Sequence, residues 1–289
     1  RRRPMRRMPA IKYCRLKNPK ALTLNVQPLA APVVVWPVVA ELLHEGGSPG
    51  RKFVLSEEAK SKEVSDVQCA ATSGTLFGYG NYAKTVIIPS LPEGLRINRI
   101  HECDPLQVPR KRDSAIYWST SPNMSPDDPS KVVFIAGYHH SHAPLAIEAL
   151  LRGKDCVVEK PLATSGSQIE DLKRAFDVSK ARYFACFQKR FSRLNKWARI
   201  DLGVARGDPV NYHAIVFEVP LPGRHWYRWP NSRSRLVSNG CHWVDHFLFL
   251  NEWSPPVRWH VHEASDGTLA VYVALRNGAC MTMALTDKG

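Results

Sequence analysis

The sequence predicts an α/β protein in which a doubly wound parallel sheet precedes a second, more antiparallel α+β unit. Three observations predict it. From Thr75 to about Leu194, short apolar runs alternate with amphipathic helical patterns, as in a parallel sheet covered on both faces. A glycine turn, Gly78-Tyr79-Gly80-Asn81-Tyr82-Ala83, joins the first of those runs to its helix. Beyond Leu194 the pattern changes to period-two alternation at Tyr212 to Glu218 and at Leu269 to Leu275, which points to a different sheet.

Each element has its own local reason. Thr75 to Phe77 is a short apolar strand, and Val86, Ile87, Ile88 and Leu91 give the following helix an apolar face that Pro89 kinks or ends. Arg96 to Cys103 is a second strand, ending on Asp104, and Ala115 to Thr120 is a further apolar run. After the Ser/Pro/Asp loop 121–130 comes a β-branched strand, Val132 to Ala136. Ser141 is placed to cap a helix with Leu145, Ala146, Ala149 and Leu150 on one face, and Gly153 is placed to end it. Cys156 to Val158 is the next buried strand. A capping box, Ser167 with Glu170, precedes a helix that buries Ile169, Leu172, Ala175 and Phe176, and Tyr183 to Phe187 returns as a strand. The resulting division is an unassigned basic extension over 1–72, a dinucleotide-binding unit over 73–193 and a partial α+β unit over 194–289.

Composition narrows the class. At 44% hydrophobic and 23% charged, the 289-residue chain is neither wholly disordered nor fibrous. Its longest apolar stretch, Leu29 to Leu43, is broken by Pro32, Pro37 and Glu41, so no membrane span is expected. The net charge of +14 is mostly a tail, because residues 1–20 hold nine Lys or Arg and no acid. The simplest reading of that tail is a disordered or cropped terminus; a nucleic-acid or membrane arm and a targeting segment are the alternatives. No nucleic-acid partner is expected of the remainder. Seven scattered cysteines without a C-x-x-C pair suit a reducing compartment, the cytoplasm.

The glycine turn has a specific physical use. The first glycine makes a tight turn, the second lets the backbone approach a pyrophosphate, and a small third residue lets helix and strand pack closely. This reading places Gly78, Gly80, Asn81, Tyr82 and Ala83 against a dinucleotide. Asp104 lies near the spacing at which an acid meets the adenosine ribose, and a carboxylate there repels a 2′-phosphate, so NAD is expected, with NADP the alternative.

Downstream, Val133 to Pro161 reads VFIAGYHHSHAPLAIEALLRGKDCVVEKP. This segment resembles the nucleotide-binding half of the glucose-fructose oxidoreductase and inositol dehydrogenase family, Gfo/Idh/MocA, through His142, Ala149-Leu150, Gly153-Lys154 and Glu159-Lys160-Pro161. The likeness continues through Phe187 to Ser192 and ends with Ser238-Asn239-Gly240-Cys241-His242-Trp243-Val244-Asp245, similar to the family's D-x-G-x-H-x-x-D helix start.

The resemblance implies a Rossmann domain followed by an open, mainly antiparallel sheet. That sheet is expected to be incomplete, because the matched part stops at Gly289, earlier than in members of ordinary length. It also implies an NAD(P)-dependent oxidoreductase acting on a ring alcohol of a sugar, polyol or sugar nucleotide. Lys160 then stabilises charge on the reacting oxygen and His242 takes the proton, both in contact with substrate, while His142, Glu159, Pro161 and Gln188 join the cofactor site. Asp245, Arg228 and Trp229 are the further substrate candidates, the latter two from an Arg/Trp/Tyr cluster that either selects an anionic sugar or simply packs between domains. A homo-oligomer through the second sheet is expected if that sheet is complete, and no metal: His139, His140 and His142 cluster like ligands but lack an acid or thiol to complete a site. One departure stands out, since Ser238 occupies the place of the family Asp that polarises the histidine. It raises the alternative of a non-catalytic nucleotide or sugar sensor with the same fold.

Overall fold

A computed structural model describes residues 72–192 and 194–288. The expectations for the basic segment and for Cys14 and Cys69 lie outside the described residues.

Six parallel strands build the first sheet: β1 (Thr72–Phe77), β2 (Leu95–His101), β3 (Tyr117–Ser119), β4 (Val132–Ile135), β5 (Asp155–Val158) and β6 (Tyr183–Ala185). Their spatial order is β3-β2-β1-β4-β5-β6, the doubly wound order with its switch point between β1 and β4. The strand period explains why both faces are covered. Leu76 packs with Ile100 and Phe134 on one side; its neighbour Phe77 packs with Val133, Ile135 and Val158 on the other. That second face is closed by α1 (His142–Leu151) and α2 (Gly166–Val178), through Leu145, Ala146, Ala149, Leu150, Leu172 and Ala175. Each fully buried leucine contributes about 2 kcal/mol relative to exposure.

Local signals shift in three places. The helix expected after the glycine turn is a π-helical turn, Ala83–Ile87, followed by a 3₁₀ turn, Ile88–Ser90, that ends before Leu91. Ser141 does not cap α1; its hydroxyl donates to the Tyr138 carbonyl, 2.8 Å away, within a 3₁₀ turn. At α2 the cap is Ser165, whose hydroxyl accepts from Gln168 N, while the Gln168 side chain accepts from Thr164 N at 2.7 Å. The reciprocal pair thus lies two residues before Ser167 and Glu170, whose spacing is the same.

Lys154 fastens the N-terminal edge of this sheet. Its ammonium donates to the carbonyls of Asp128 and Ser130, at 2.7 and 2.6 Å, and lies 3.7 Å from the Asp128 carboxylate, which also accepts from Thr75 at 2.7 Å. Lys154→Met leaves a buried carboxylate without its cation, so a loss of about 3 kcal/mol in urea unfolding is expected.

A four-stranded mixed sheet follows α3 (Leu194–Leu202): β7 (Tyr212–Phe217), β8 (Pro256–Glu263), β9 (Leu269–Leu275) and β10 (Cys280–Thr286), in the order β7-β10-β9-β8. Two of its three pairings are antiparallel, whereas β10 with β7 is parallel. Tyr212, Ala214 and Val216, with Val271, Val273, Met281 and Met283, face α4 (Cys241–Leu250) and its Trp243, Val244, Phe247 and Leu248. Alternate residues face outward. Among the described residues no helix is long and apolar enough to cross a membrane.

Candidate functional site

Because all six strands are parallel, their C-terminal ends gather on one edge. The register places Phe77 beside His101 and Ile135, and Ile135 beside Val158. The segments that follow, at Gly78, Glu102, Gly137 and Glu159-Lys160, therefore lie next to one another.

Gly78 has φ +90°, and a Cβ there would meet the Gly137 backbone at 2.5 Å. Only glycine lets the β1 and β4 turns approach this closely. At Gly80 the equivalent Cβ would meet nothing within 4 Å, so the turn opens a cradle on its outer side. The backbone there fits the close approach a pyrophosphate needs. Asn81 and Tyr82 are exposed at its rim, and Ala83 is buried against Leu76.

The acid at the end of β2 differs from the one expected. Asp104 accepts from Leu106 N at 2.9 Å in a local turn. It is Glu102, almost fully buried, that reaches the glycine turn: one oxygen accepts from Tyr79 N at 2.5 Å and the other from Asp104 N at 2.8 Å. Glu102 stands one residue past the strand, and the preference for the later acid rested on spacing alone.

Lys160 lies just beyond β5, ahead of a cis bond to Pro161. Its ammonium donates to the Ser238 carbonyl at 3.3 Å and lies 6.0 Å from the Tyr227 ring centroid. Ser238 stands one helical turn before His242, in the π-helical turn Leu236–Gly240 that leads into α4. Residues 78 positions apart are thus joined directly. Glu159 is buried behind Lys160 and accepts from the Lys160 amide at 3.3 Å; burial raises its pKa, partly offset by the Lys160 charge. His142 is fully enclosed, with Nδ1 2.8 Å from the Pro161 carbonyl and Nε2 3.1 Å from that of Gly137. It braces the lysine loop against the β4 turn and has no face toward a cofactor, which corrects its expected place in the cofactor site.

His242 is buried in the first turn of α4, edge-on to Phe187 at 6.0 Å, and its Nδ1 has no hydrogen-bond partner. Burial, then the charges of Lys160 and Lys189, push its pKa down to about 3. Asp245 supplies nothing to it. Its carboxylate is held in a two-pronged ion pair by Arg190, whose Nε donates at 2.9 Å, so Asp245 joins α4 to the segment after β6 and is withdrawn as a substrate candidate. Nothing in the sequence pattern singles out Arg190 for this. Gln188 is exposed in the same turn.

The aromatic segment packs between the two units. Trp226 and Trp229 both lie 5.2 Å from Tyr138, and Tyr227 lies 4.8 Å from His139, ring centre to ring centre. Arg228 is exposed and donates to the Leu221 carbonyl at 3.0 Å. Tyr227, near Lys160, and its neighbours Tyr138 and His139 thus lie where the two units meet, although no motif marks them. Among the described residues no group of three His, Cys, Asp or Glu is arranged to hold a metal ion.

Burial keeps three histidines neutral. It pushes His139 to about 2, with help from the His142 and Lys160 charges, and His246 to about 4, with help from Lys189. Each of these groups, like His242, takes up a proton only on unfolding once pH falls below its free value of 6.5. The stability they confer is complete above that pH and declines as pH falls toward 4, by about 1.4 kcal/mol per pH unit for each. The urea midpoint is therefore expected to fall steeply between pH 6.5 and 4.5.

A doubly wound sheet with a glycine turn, an acid on that turn and a lysine loop facing a histidine helix defines a dinucleotide-binding oxidoreductase fold. Residues 76–187 match the Gfo/Idh/MocA family model, described as "Oxidoreductase family, NAD-binding Rossmann fold". Among solved structures, the chain is similar to the WlbA dehydrogenase of Bordetella pertussis in complex with NADH and UDP-GlcNAcA. The TM-score is 0.61 at 19% identity, over 77% of this chain and 69% of that one. It is also similar to the WlbA (WbpB) dehydrogenase of Thermus thermophilus in complex with NAD and α-ketoglutarate, with TM-score 0.59 and 19% identity over 75% and 74% of the two chains. A third is the aldose-aldose oxidoreductase of Caulobacter crescentus complexed with glycerol, with TM-score 0.61 and 16% identity over 75% and 71%. At these identities the likeness shows the fold. No curated protein matches the chain by sequence.

Proposed function

We propose that this protein is an NAD-dependent oxidoreductase acting on a ring alcohol of a sugar, polyol or sugar nucleotide. The observation that carries the reading is the approach of Lys160 to the His242 helix beside an open glycine cradle. The sugar-nucleotide and aldose enzymes among its structural relatives support the substrate class.

When bound, nicotinamide supplies the hydride acceptor or donor. A secondary alcohol gives up hydride only if its hydroxyl proton leaves as well, so a cation and a proton acceptor are needed at one oxygen. The Lys160 ammonium stabilises negative charge there. His242, neutral throughout the physiological range, is the proton acceptor in this reading, but with no carboxylate behind it and two ammoniums nearby it is a weak base. Tyr227 and Trp229 border the substrate side. The free thiols Cys103, Cys156, Cys186, Cys241 and Cys280 fit a reducing compartment such as the cytoplasm, and the outward Ile215 and Trp259 of the second sheet support self-association.

The cofactor half is tested at Glu102. Glu102→Gln is expected to weaken NADH binding by 10- to 100-fold, roughly the worth of a hydrogen bond to a charged group, and to narrow discrimination against NADPH. Asp104→Asn is expected to change either by less than about threefold. Fluorescence titration of both variants checks this. Absence of the polarising carboxylate at Ser238 favours one other reading, a nucleotide or sugar sensor; NADH binding with no turnover on a broad sugar panel would support it.

A further inference from the structure

Lys189 is a half-buried cation with no counter-ion. It stands in the turn Gln188–Phe191 after β6, its ammonium 3.8 Å from the ring centroid of buried Trp243. Among the described residues no carboxylate pairs with it. The carboxylate on the adjoining helix, Asp245, is committed to Arg190, and the Asn195 amide is taken up by the Lys189 and Arg190 carbonyls and by His246 rather than by the Lys189 ammonium. Burial lowers the Lys189 pKa, with no neighbouring acid raising it. A cation–π contact offsets part of the desolvation, yet leaves the ammonium's hydrogen-bonding capacity unused.

The position of this charge matters. The charges of Lys160, from the loop after β5, and Lys189, from the turn after β6, both act on His242. Lys160 reaches the Ser238 carbonyl, one turn before His242, and Lys189 lies over the Trp243 ring, one residue after it, so two cations flank the start of α4 beside the imidazole. Low-dielectric walls lined by one sign of charge favour a ligand of the other. Arg224 and Arg228, which the sequence offered for that purpose, are exposed, and Arg228 is bonded to the Leu221 carbonyl.

We infer that Lys189 binds an anionic substituent of the sugar, a carboxylate or a phosphate, while Lys160 meets the reacting hydroxyl, so that the substrates are acidic sugars. The inference rests on the oxidoreductase reading and deepens it.

The test uses the full chain loaded with NADH and titrated with D-glucose, D-glucuronate and D-glucose 6-phosphate, read by cofactor fluorescence. Wild type is expected to bind at least one acidic sugar about tenfold or more tightly than glucose, and the better of the two identifies carboxylate or phosphate. Lys189→Met is expected to remove that preference, weakening the acid 10- to 100-fold while NADH affinity holds; Lys189→Arg is expected to keep most of it. The inference is overturned if wild type binds glucose as well as the acids, if it binds none of the three, or if Lys189→Met keeps the preference. Weakened NADH binding in Lys189→Met overturns it too, by assigning the ammonium to the cofactor. Failure of wild type to bind NADH removes the oxidoreductase reading as well, whereas NADH binding without acid preference removes only this inference.

Discussion

Lys160→Ala is expected to lower turnover by 10²- to 10³-fold while NADH affinity changes by less than about twofold. The ammonium leaves the lysine loop toward the start of α4, donating to the Ser238 carbonyl, and the loop itself is braced by His142. Truncating the side chain removes a cation from the place where an alkoxide develops, an interaction worth about 3–4 kcal/mol in the transition state and little in the ground state. The loss is therefore expected in kcat more than in KM. A stopped-time assay with a sugar found by absorbance screening, paired with an NADH titration, separates the two. Turnover that survives the substitution would take Lys160 out of the reaction.

Gly78→Ala is expected to destabilise the protein by about 3 kcal/mol or more and to abolish NADH binding. A methyl group at φ +90° is strained by itself, and here it would lie 2.5 Å from the Cα and N of Gly137 and 2.6 Å from the Ala136 carbonyl carbon. These are backbone atoms just past the end of the core strand β4, so no side chain can rotate away. Gly80→Ala makes the contrast. Its Cβ meets nothing within 4 Å, so the urea midpoint is expected to change little; but the methyl enters the open cradle, and NADH binding is expected to weaken by roughly tenfold. Equal stability of Gly78→Ala and wild type would mean that the two turns do not need their close approach.

The parallel sheet was legible because its strands are buried on both faces. Val132–Ile135 and Asp155–Val158 are short apolar runs between helices whose faces repeat every three to four residues. The second sheet is harder. In β8, Pro256–Glu263, most side chains are exposed, so no inward stripe identifies it, and β10 shows its alternation only once Met281, Met283 and Leu285 are seen to face α4. At the site, Gly78 and Lys160 were legible because glycine geometry and the E-K-P segment are local. Asp245 was misread because its partner, Arg190, lies 55 residues away, and an ion pair of that separation leaves no local trace. Glu102 was overlooked for a similar reason: only the fold determines which of two acids turns back to the Tyr79 amide. The tandem aromatics of 226–229 were equally consistent with sugar stacking and with domain packing, and contact with Tyr138 and His139 accounts for their packing.

The central claim is that one bound dinucleotide spans the glycine turn and the lysine loop. A crystal structure of the full chain with NADH tests it most directly. The account predicts pyrophosphate density against Gly78 to Gly80, ribose hydroxyls on Glu102, and the nicotinamide ring beside the Lys160 ammonium and His242. Well-ordered NADH in any other position, or a ring far from Lys160 while the pyrophosphate occupies the turn, would contradict it.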